Sequence, residues 1–335
     1  MRGIGTAGAR GGRDSAIDSL RGMLVIAVIL GHYSELTDRT GFLTWVGSGV
    51  RMPVFMGLAG YLFSLERARA TGWLRLLQRY YGRLILPWLA ALAVYLTVTQ
   101  QIWLLAPYHA IIRPPFHFWF VPVLMAFILI AALSRRSPIA LLAMAVPISV
   151  AAMYTFGVGY TVEQPPAWLP DRRFFIYPVY FFYGLWVAHR QSERWKTVGA
   201  CLLAPIGILW WCGLYGTPDL TAEVAATLTA SLPLICLLPH VRGLPIALPI
   251  IAGVGRNSLF FYLWHPMMFG LWSSYGVSGL PMLALTLLSL LVAGRLFAEA
   301  PAAARILGMI PRRPGVATPS EAATAGPLAP SGTAT

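Results

Sequence analysis

From Ile17 to Ala298 the chain repeats one pattern: a long apolar run, a short polar break, then another run. A bilayer crossing takes about 20 mostly apolar residues in a helix. Ten runs meet or approach that length: 17–36, 44–64, 84–105, 117–133, 139–155, 174–189, 198–214, 221–239, 250–272 and 280–298. Each is expected to be a transmembrane helix. The pattern predicts an all-α polytopic membrane protein of about ten transmembrane helices, and no internal repeat accompanies it.

The ends of the chain break the pattern. Residues 1–13 are rich in Gly and Arg, and 311–335 in Pro, Ala, Thr and Gly, compositions without a packing pattern. The expected organisation is a disordered cytoplasmic N-terminus at 1–13, a membrane domain at 14–300 and a flexible cytoplasmic tail at 301–335. The first apolar run follows arginines, as a signal peptide does. Arg21 and His32 bracket its core, however, and no small-residue cleavage site follows promptly, so a retained span is expected.

Composition agrees with a membrane protein. The 335 residues are 57% hydrophobic and 11% charged, against about 25% charged in soluble domains. The net charge of +13 is almost all arginine, Lys196 being the only lysine. On a soluble protein that charge would suggest nucleic acid. Here most of it lies between apolar runs and no aromatic–basic motif accompanies it, so it reads as topology and no nucleic-acid partner is expected. With the N-terminus inside, seventeen Lys and Arg residues between Arg2 and Arg313 fall in inner segments, and four, Arg39, Arg113, Arg172 and Arg173, fall in outer loops. That bias predicts an even number of spans with both termini cytoplasmic. Cys201, Cys212 and Cys236 lie in apolar segments, and His109, His189 and His240 lie near loops, all without ligand spacing, so no metal is expected.

Ionisable groups inside apolar runs carry the candidate chemistry, because such groups are expensive at membrane depth. Arg21 and His32 share the first run, with His32 about 16 Å further along at about 1.5 Å per residue. Arg256 and His265 share the ninth, about 13.5 Å apart by the same rise. The topology makes these two runs parallel, so an inner arginine with a deeper histidine occurs on two helices. Asp18 is one turn from Arg21 and is placed to pair with it. Glu35, three residues after His32, is either an acceptor for its ring N–H, fixing the tautomer, or a solvated residue at the helix end. Arg75, Arg79 and Arg83 recur every four residues before the third run and are expected on one helix face. That face suits phosphate, through the planar bidentate fork of arginine, or anchors the span against anionic lipid. Small residues from Met52 to Phe63 allow close helix packing. His117-Phe-Trp-Phe120 is either an aromatic belt at the membrane interface or the wall of an acceptor site.

In this order the pieces resemble the integral-membrane O-acyltransferases of the acyltransferase-3 family, and within it the polysaccharide O-acetyltransferase and fucose-4-O-acetylase-like members. Arg21 and His32 match its arginine-to-histidine hallmark in the first span. Met52 through Tyr61 is similar to its Met-Pro-x-Phe-x-x-x-Ser-Gly-Tyr block, with Ala59 in place of the serine. Arg83-Leu-Ile-Leu-Pro87, His117-Phe-Trp-Phe120 and Arg256-Asn-Ser-Leu followed by Tyr262-Leu-Trp-His265-Pro match later blocks. Arg51 stands where this subgroup often has histidine, and Arg79 and Arg83 are spaced differently from its paired basic motif.

The resemblance implies an acyl-CoA donor, most simply acetyl-CoA, with no permanently bound cofactor. The acceptor would be a sugar hydroxyl of an exported or cell-envelope polysaccharide or its lipid-linked precursor, at the bacterial inner membrane and among membrane lipids. It implies nucleotide phosphates among Arg21, Arg79, Arg83 and Arg256, and the thioester near His32. His32 would be general base or carry the acyl group, and His265 would donate to the oxyanion. Two other readings stay open: acylation of a small molecule or lipid head group, and a transporter lined by the buried charges. The lack of inverted repeats argues against the transporter.

Overall fold

The computed structural model of the protein describes residues 14–36, 41–159, 162–190, 193–246 and 248–311, without the side chains of Glu35 and Leu36. Among these residues the protein is helical and contains no strand. The helices are α1 (Ser15–Leu36), α2 (Phe42–Tyr61), α3 (Leu65–Thr71), α4 (Trp73–Val98), α5 (Phe120–Leu133), α6 (Pro138–Phe156), α7 (Arg173–Ile176) and α8 (Pro178–Ala188). They continue with α9 (Arg194–Gly213), α10 (Leu220–Cys236), a single helical turn at Leu238–Val241, α11 (Pro249–Arg256), α12 (Ser258–Ser274), α13 (Gly279–Phe297) and α14 (Pro301–Leu307). Six of them, α1, α2, α4, α6, α9 and α13, are long and apolar enough to cross a membrane. The other four expected runs also contain helix, in shorter pieces.

Three boundaries differ from the sequence expectation, each for a local reason. The third run, expected at 84–105, is the end of a helix that starts at Trp73 and stops at Val98, where Gln100 takes a left-handed φ of 57°. The ninth, expected as one helix over 250–272, is broken at Asn257 into α11 and α12. The Asn257 amide donates back to the Gly253 carbonyl while its Oδ1 accepts from the Ile310 amide. The tail expected from 301 begins instead with α14, which packs Ala304 into the interior, as does Met309 just after it, and accepts the Trp264 indole N–H at the Leu307 carbonyl. Residues 1–13 and 312–335 lie outside the described residues.

Lipid is as apolar as leucine, so helices in a bilayer associate through close packing and interhelical hydrogen bonds rather than water exclusion. Both devices are present. In the expected small-residue block, a Cβ on Gly60 would run into the Phe181 carbonyl, and one on Gly184 into that of Gly57, so α2 and α8 touch backbone to backbone. The Thr227 and Ser231 hydroxyls of α10 both donate to the Gly49 carbonyl of α2. The Trp45 and Trp211 rings stack 4.3 Å apart, each indole N–H donating to the other's carbonyl.

This packing sets α1 against α12. Gly255, at the end of α11, lies against Asp18 and Gly22 of α1, again too close for a Cβ. Ten residues further along each segment, His265 meets His32. The two stretches therefore run side by side in the same direction, as the parallel-run expectation requires.

Candidate active site

The site is built on the last two turns of α1. His32 Nδ1 lies 2.7 Å from His265 Nε2, and the rings stack with centroids 4.9 Å apart. His117 completes a cluster, its ring 6.0 Å from His32 and 5.6 Å from His265. His265 is fully buried and His117 nearly so, while His32 keeps part of its surface open.

The hydrogen bonds fix the protons. His265 Nδ1 lies 3.0 Å from the Phe261 carbonyl one turn earlier. A carbonyl only accepts, so Nδ1 carries the hydrogen, and Nε2 of the neutral ring is left as an acceptor. His32 Nδ1 must then donate to it, which leaves His32 Nε2 with a free lone pair. A histidine held by one nitrogen with the other bare is arranged as a general base. The oxyanion-donor role expected for His265 does not suit this arrangement, because the nitrogen it turns toward the site carries no hydrogen. Among the described residues no group of His, Cys, Asp and Glu is placed to hold a metal ion.

His117 reaches the cluster through a turn that other elements hold. Phe116 before it takes a left-handed φ of 52°, a conformation uncommon outside glycine and found where surroundings enforce it. The Tyr262 hydroxyl donates to the His117 carbonyl, the Trp88 indole donates to the Phe118 carbonyl at 2.9 Å, and His117 Nε2 donates to the Leu263 carbonyl at 3.4 Å. Phe118, Trp119 and Phe120 are all buried. Residues 117–120 are thus a wall of the site, and the interface-belt alternative is corrected, because a belt would face the membrane surface.

Arginines surround the cluster, though not those singled out from the sequence. The guanidinium of Arg51 on α2 covers Gly31, so closely that a Cβ there would collide with it. Arg51 and Arg173 both act electrostatically on His32. Arg173 is held by Asp171 at 3.0 Å and lies 4.8 Å above the Trp119 ring. From the sequence, Arg51 reads as a departure from a family pattern and Arg173 as an outer-loop charge. The only available hint was their position, one beside the small-residue block and one at the start of an apolar run.

The other expected site residues lie elsewhere. Arg21 sits about 16 Å back along α1 by the helical rise, 3.9 Å from Asp18 as anticipated. Arg256, exposed, follows Gly255 at the same crossing. Arg75, Arg79 and Arg83 are all exposed on α4. Tyr81–Ile85 forms a π-helical turn within the stretch that carries Arg83. The Glu35 side chain lies outside the described residues.

A family described as an acyltransferase domain has a model that matches residues 14–296 of this chain. No curated protein and no solved structure matches it.

Proposed function

The chain belongs to the acyltransferase-3 family, whose domain covers residues 14–296 and with them the histidine cluster, and from that premise we propose that this membrane acyltransferase is an O-acetyltransferase. Its donor is acetyl-CoA and its acceptor a sugar hydroxyl of an exported or cell-envelope polysaccharide or its lipid-linked precursor. The observation that carries the reading is the His32–His265 pair, 2.7 Å apart on two parallel segments, with the outer nitrogen of His32 left bare.

His32 Nε2 takes the acceptor's hydroxyl proton as that oxygen bonds to the thioester carbonyl carbon. His265 Nε2 accepts the Nδ1–H of His32 throughout, and the bond strengthens when His32 becomes a cation. The C–S bond then breaks, and His32 returns the proton to the departing thiolate. The acceptor ends as an O-acetyl ester, the donor as free CoA, and His32 as it began. Arg21, Arg79, Arg83, Arg75 and Arg256 are the proposed contacts of the donor's phosphates. Donor entry at the Arg21 end leaves the His32 end for the acceptor.

The test is thioester turnover. Purified protein with acetyl-CoA and a sugar acceptor should release free CoA, whereas a transporter would release none. Mass spectrometry of the envelope polysaccharide from a deletion strain should show the loss of O-acetyl groups. The cation bias supports an inner-membrane protein of ten spans with both termini cytoplasmic, so C-terminal reporter fusions should be active only in the cytoplasm. A C-terminus reported outside would require an odd number of spans.

A further inference from the structure

Beside the histidine cluster, at the His32 end of the molecule, a cavity of about 260 Å³ opens between α2, the segment after α6, α8, α9 and α10. Its wall is polar and cationic. Arg172 and Arg173 line it, with Tyr177, Tyr180 and Thr227. It opens to the surface at Ser48 and Val162, both exposed. The Tyr180 hydroxyl bonds to Thr227, whose own hydroxyl donates to Gly49 at 2.7 Å.

Cations and carboxylates meet there. Arg51, Arg172 and Arg173 all act on Tyr177, with Asp171 as the carboxylate beside them. Glu223 is buried behind Gly159, and Glu163 next to Val162 faces outward. Capping explains part of Arg172, whose Nη1 donates to the Phe156 and Gly157 carbonyls at 3.3 and 3.4 Å, closing the end of α6. It does not explain the rest, since the Arg172 Nε–H is buried with no hydrogen-bond partner among the described residues. A buried guanidinium donor left unmet is costly, and a ligand acceptor would meet it.

We propose that this cavity seats the acceptor and selects an anionic sugar, one bearing a carboxylate or a phosphate. The inference rests on the acyl-transfer reading. Arginine presents the same fork to both anions, and the hydroxyl-lined wall suits a polyol ring. Arg173 links the two regions, lining the cavity while its charge reaches His32. The donor's nucleotide is also anionic, but the cavity lies below the roughly 300–1,000 Å³ of sites for drug-sized ligands, and coenzyme A is larger than those. One sugar ring is the fitting occupant.

The experiment is a set of saturation-transfer NMR titrations of the purified full-length protein with glucose, glucuronate, glucose 6-phosphate and coenzyme A. At least one of the two charged sugars should bind about tenfold or more tightly than glucose, the gain expected of a charge-assisted hydrogen bond. The preference should weaken in high salt. Arg172→Gln should remove it, and Arg172→Lys should keep part of it. If only glucuronate is preferred, the acceptor carries a carboxylate; if only glucose 6-phosphate, a phosphate. Equal affinity for the three sugars, no saturable binding, displacement of the charged sugars by coenzyme A, or a preference untouched by Arg172→Gln would each overturn the proposal. If Arg172→Gln does not fold, the wild-type titrations still decide. They involve no thioester, so a failure to release CoA would sink the transfer reading without altering the sugar preference.

Discussion

Around His32 the polar groups are held by hydrogen bonds that tie separate elements of the fold together, whereas Arg75, Arg79 and Arg83 all stand exposed on one helix. His32 is oriented by His265, His265 by Phe261, and His117 by Tyr262 and Leu263. These contacts join α1, α12 and the 117–120 turn across more than 140 residues of chain. The arginine face has no comparable frame: all three residues are exposed. A group that must sit within tenths of an ångström of a reacting atom needs several elements to fix it. A group that attracts a phosphate through charge needs only to be near. The two regions thus divide as chemistry and capture would, and substitutions in them should fail in different ways.

The largest expected effect is at the centre of the held region. His32→Ala removes the bare nitrogen and should lower acetyl transfer by about 10²–10⁴-fold, the range for loss of a general base. Protein level and membrane insertion should stay near wild type, because His32 keeps part of its surface open and leaves no large void. Full activity in this variant, measured as CoA release, would erase the contrast between the regions.

That contrast also explains what the chain reveals unaided. His32 and His265 were legible because an ionisable residue inside an apolar run is conspicuous, and charge bias set their two runs parallel. The packing of α2 was legible from its small residues, since Gly57 and Gly60 announce a close approach. His117 was ambiguous, because an aromatic cluster at the start of a run looks alike whether it faces lipid or turns inward. The turn at Phe116 decides it, and nothing in the residue type marks a left-handed φ there. Arg51 belongs to the site only through α2 packing on α1, and Arg173 only through its place over the Trp119 ring, tertiary facts with no local pattern. The break at Asn257 is likewise hidden, since its amide is met by Ile310, 53 residues away.

A smaller effect is expected one step outward from His32. His265→Ala leaves the Nδ1–H of His32 without its acceptor and frees the ring to turn. A lost hydrogen bond of this kind costs about 1–3 kcal/mol, or roughly 5- to 150-fold at 1.4 kcal/mol per decade. The loss should fall on kcat, with the KM for acetyl-CoA little changed, as for an interaction that acts in the transition state. His265→Gln, whose side-chain oxygen offers an acceptor on a similar stem, should recover part of the rate. A merely structural role would instead lower protein yield in both variants. A variant whose donor KM rises while kcat holds would move His265 into the capture region.

The smallest effect, and the sharpest on the other side, is expected at Arg83. If the arginines of α4 capture the donor's phosphates, Arg83→Ala removes one charge-assisted contact in a solvent-exposed setting. The full strength of such a contact is about 1.5–3 kcal/mol, and exposure reduces it, so a rise of about tenfold in the KM for acetyl-CoA is the expected scale. kcat should be unchanged, the reverse of the His265 variant. Arg83→Lys should recover only part of the loss, because lysine keeps the charge but not the fork. The defect should shrink as salt rises, whereas the His265 defect should not, since screening acts on exposed charges far more than on buried hydrogen bonds. Titrating acetyl-CoA against each purified variant at two salt concentrations gives all four outcomes. A donor KM untouched by Arg83→Ala would make the arginine face a membrane anchor, and the donor's phosphates would then have to be met by Arg21 and Arg256 at the crossing of α1 and α11.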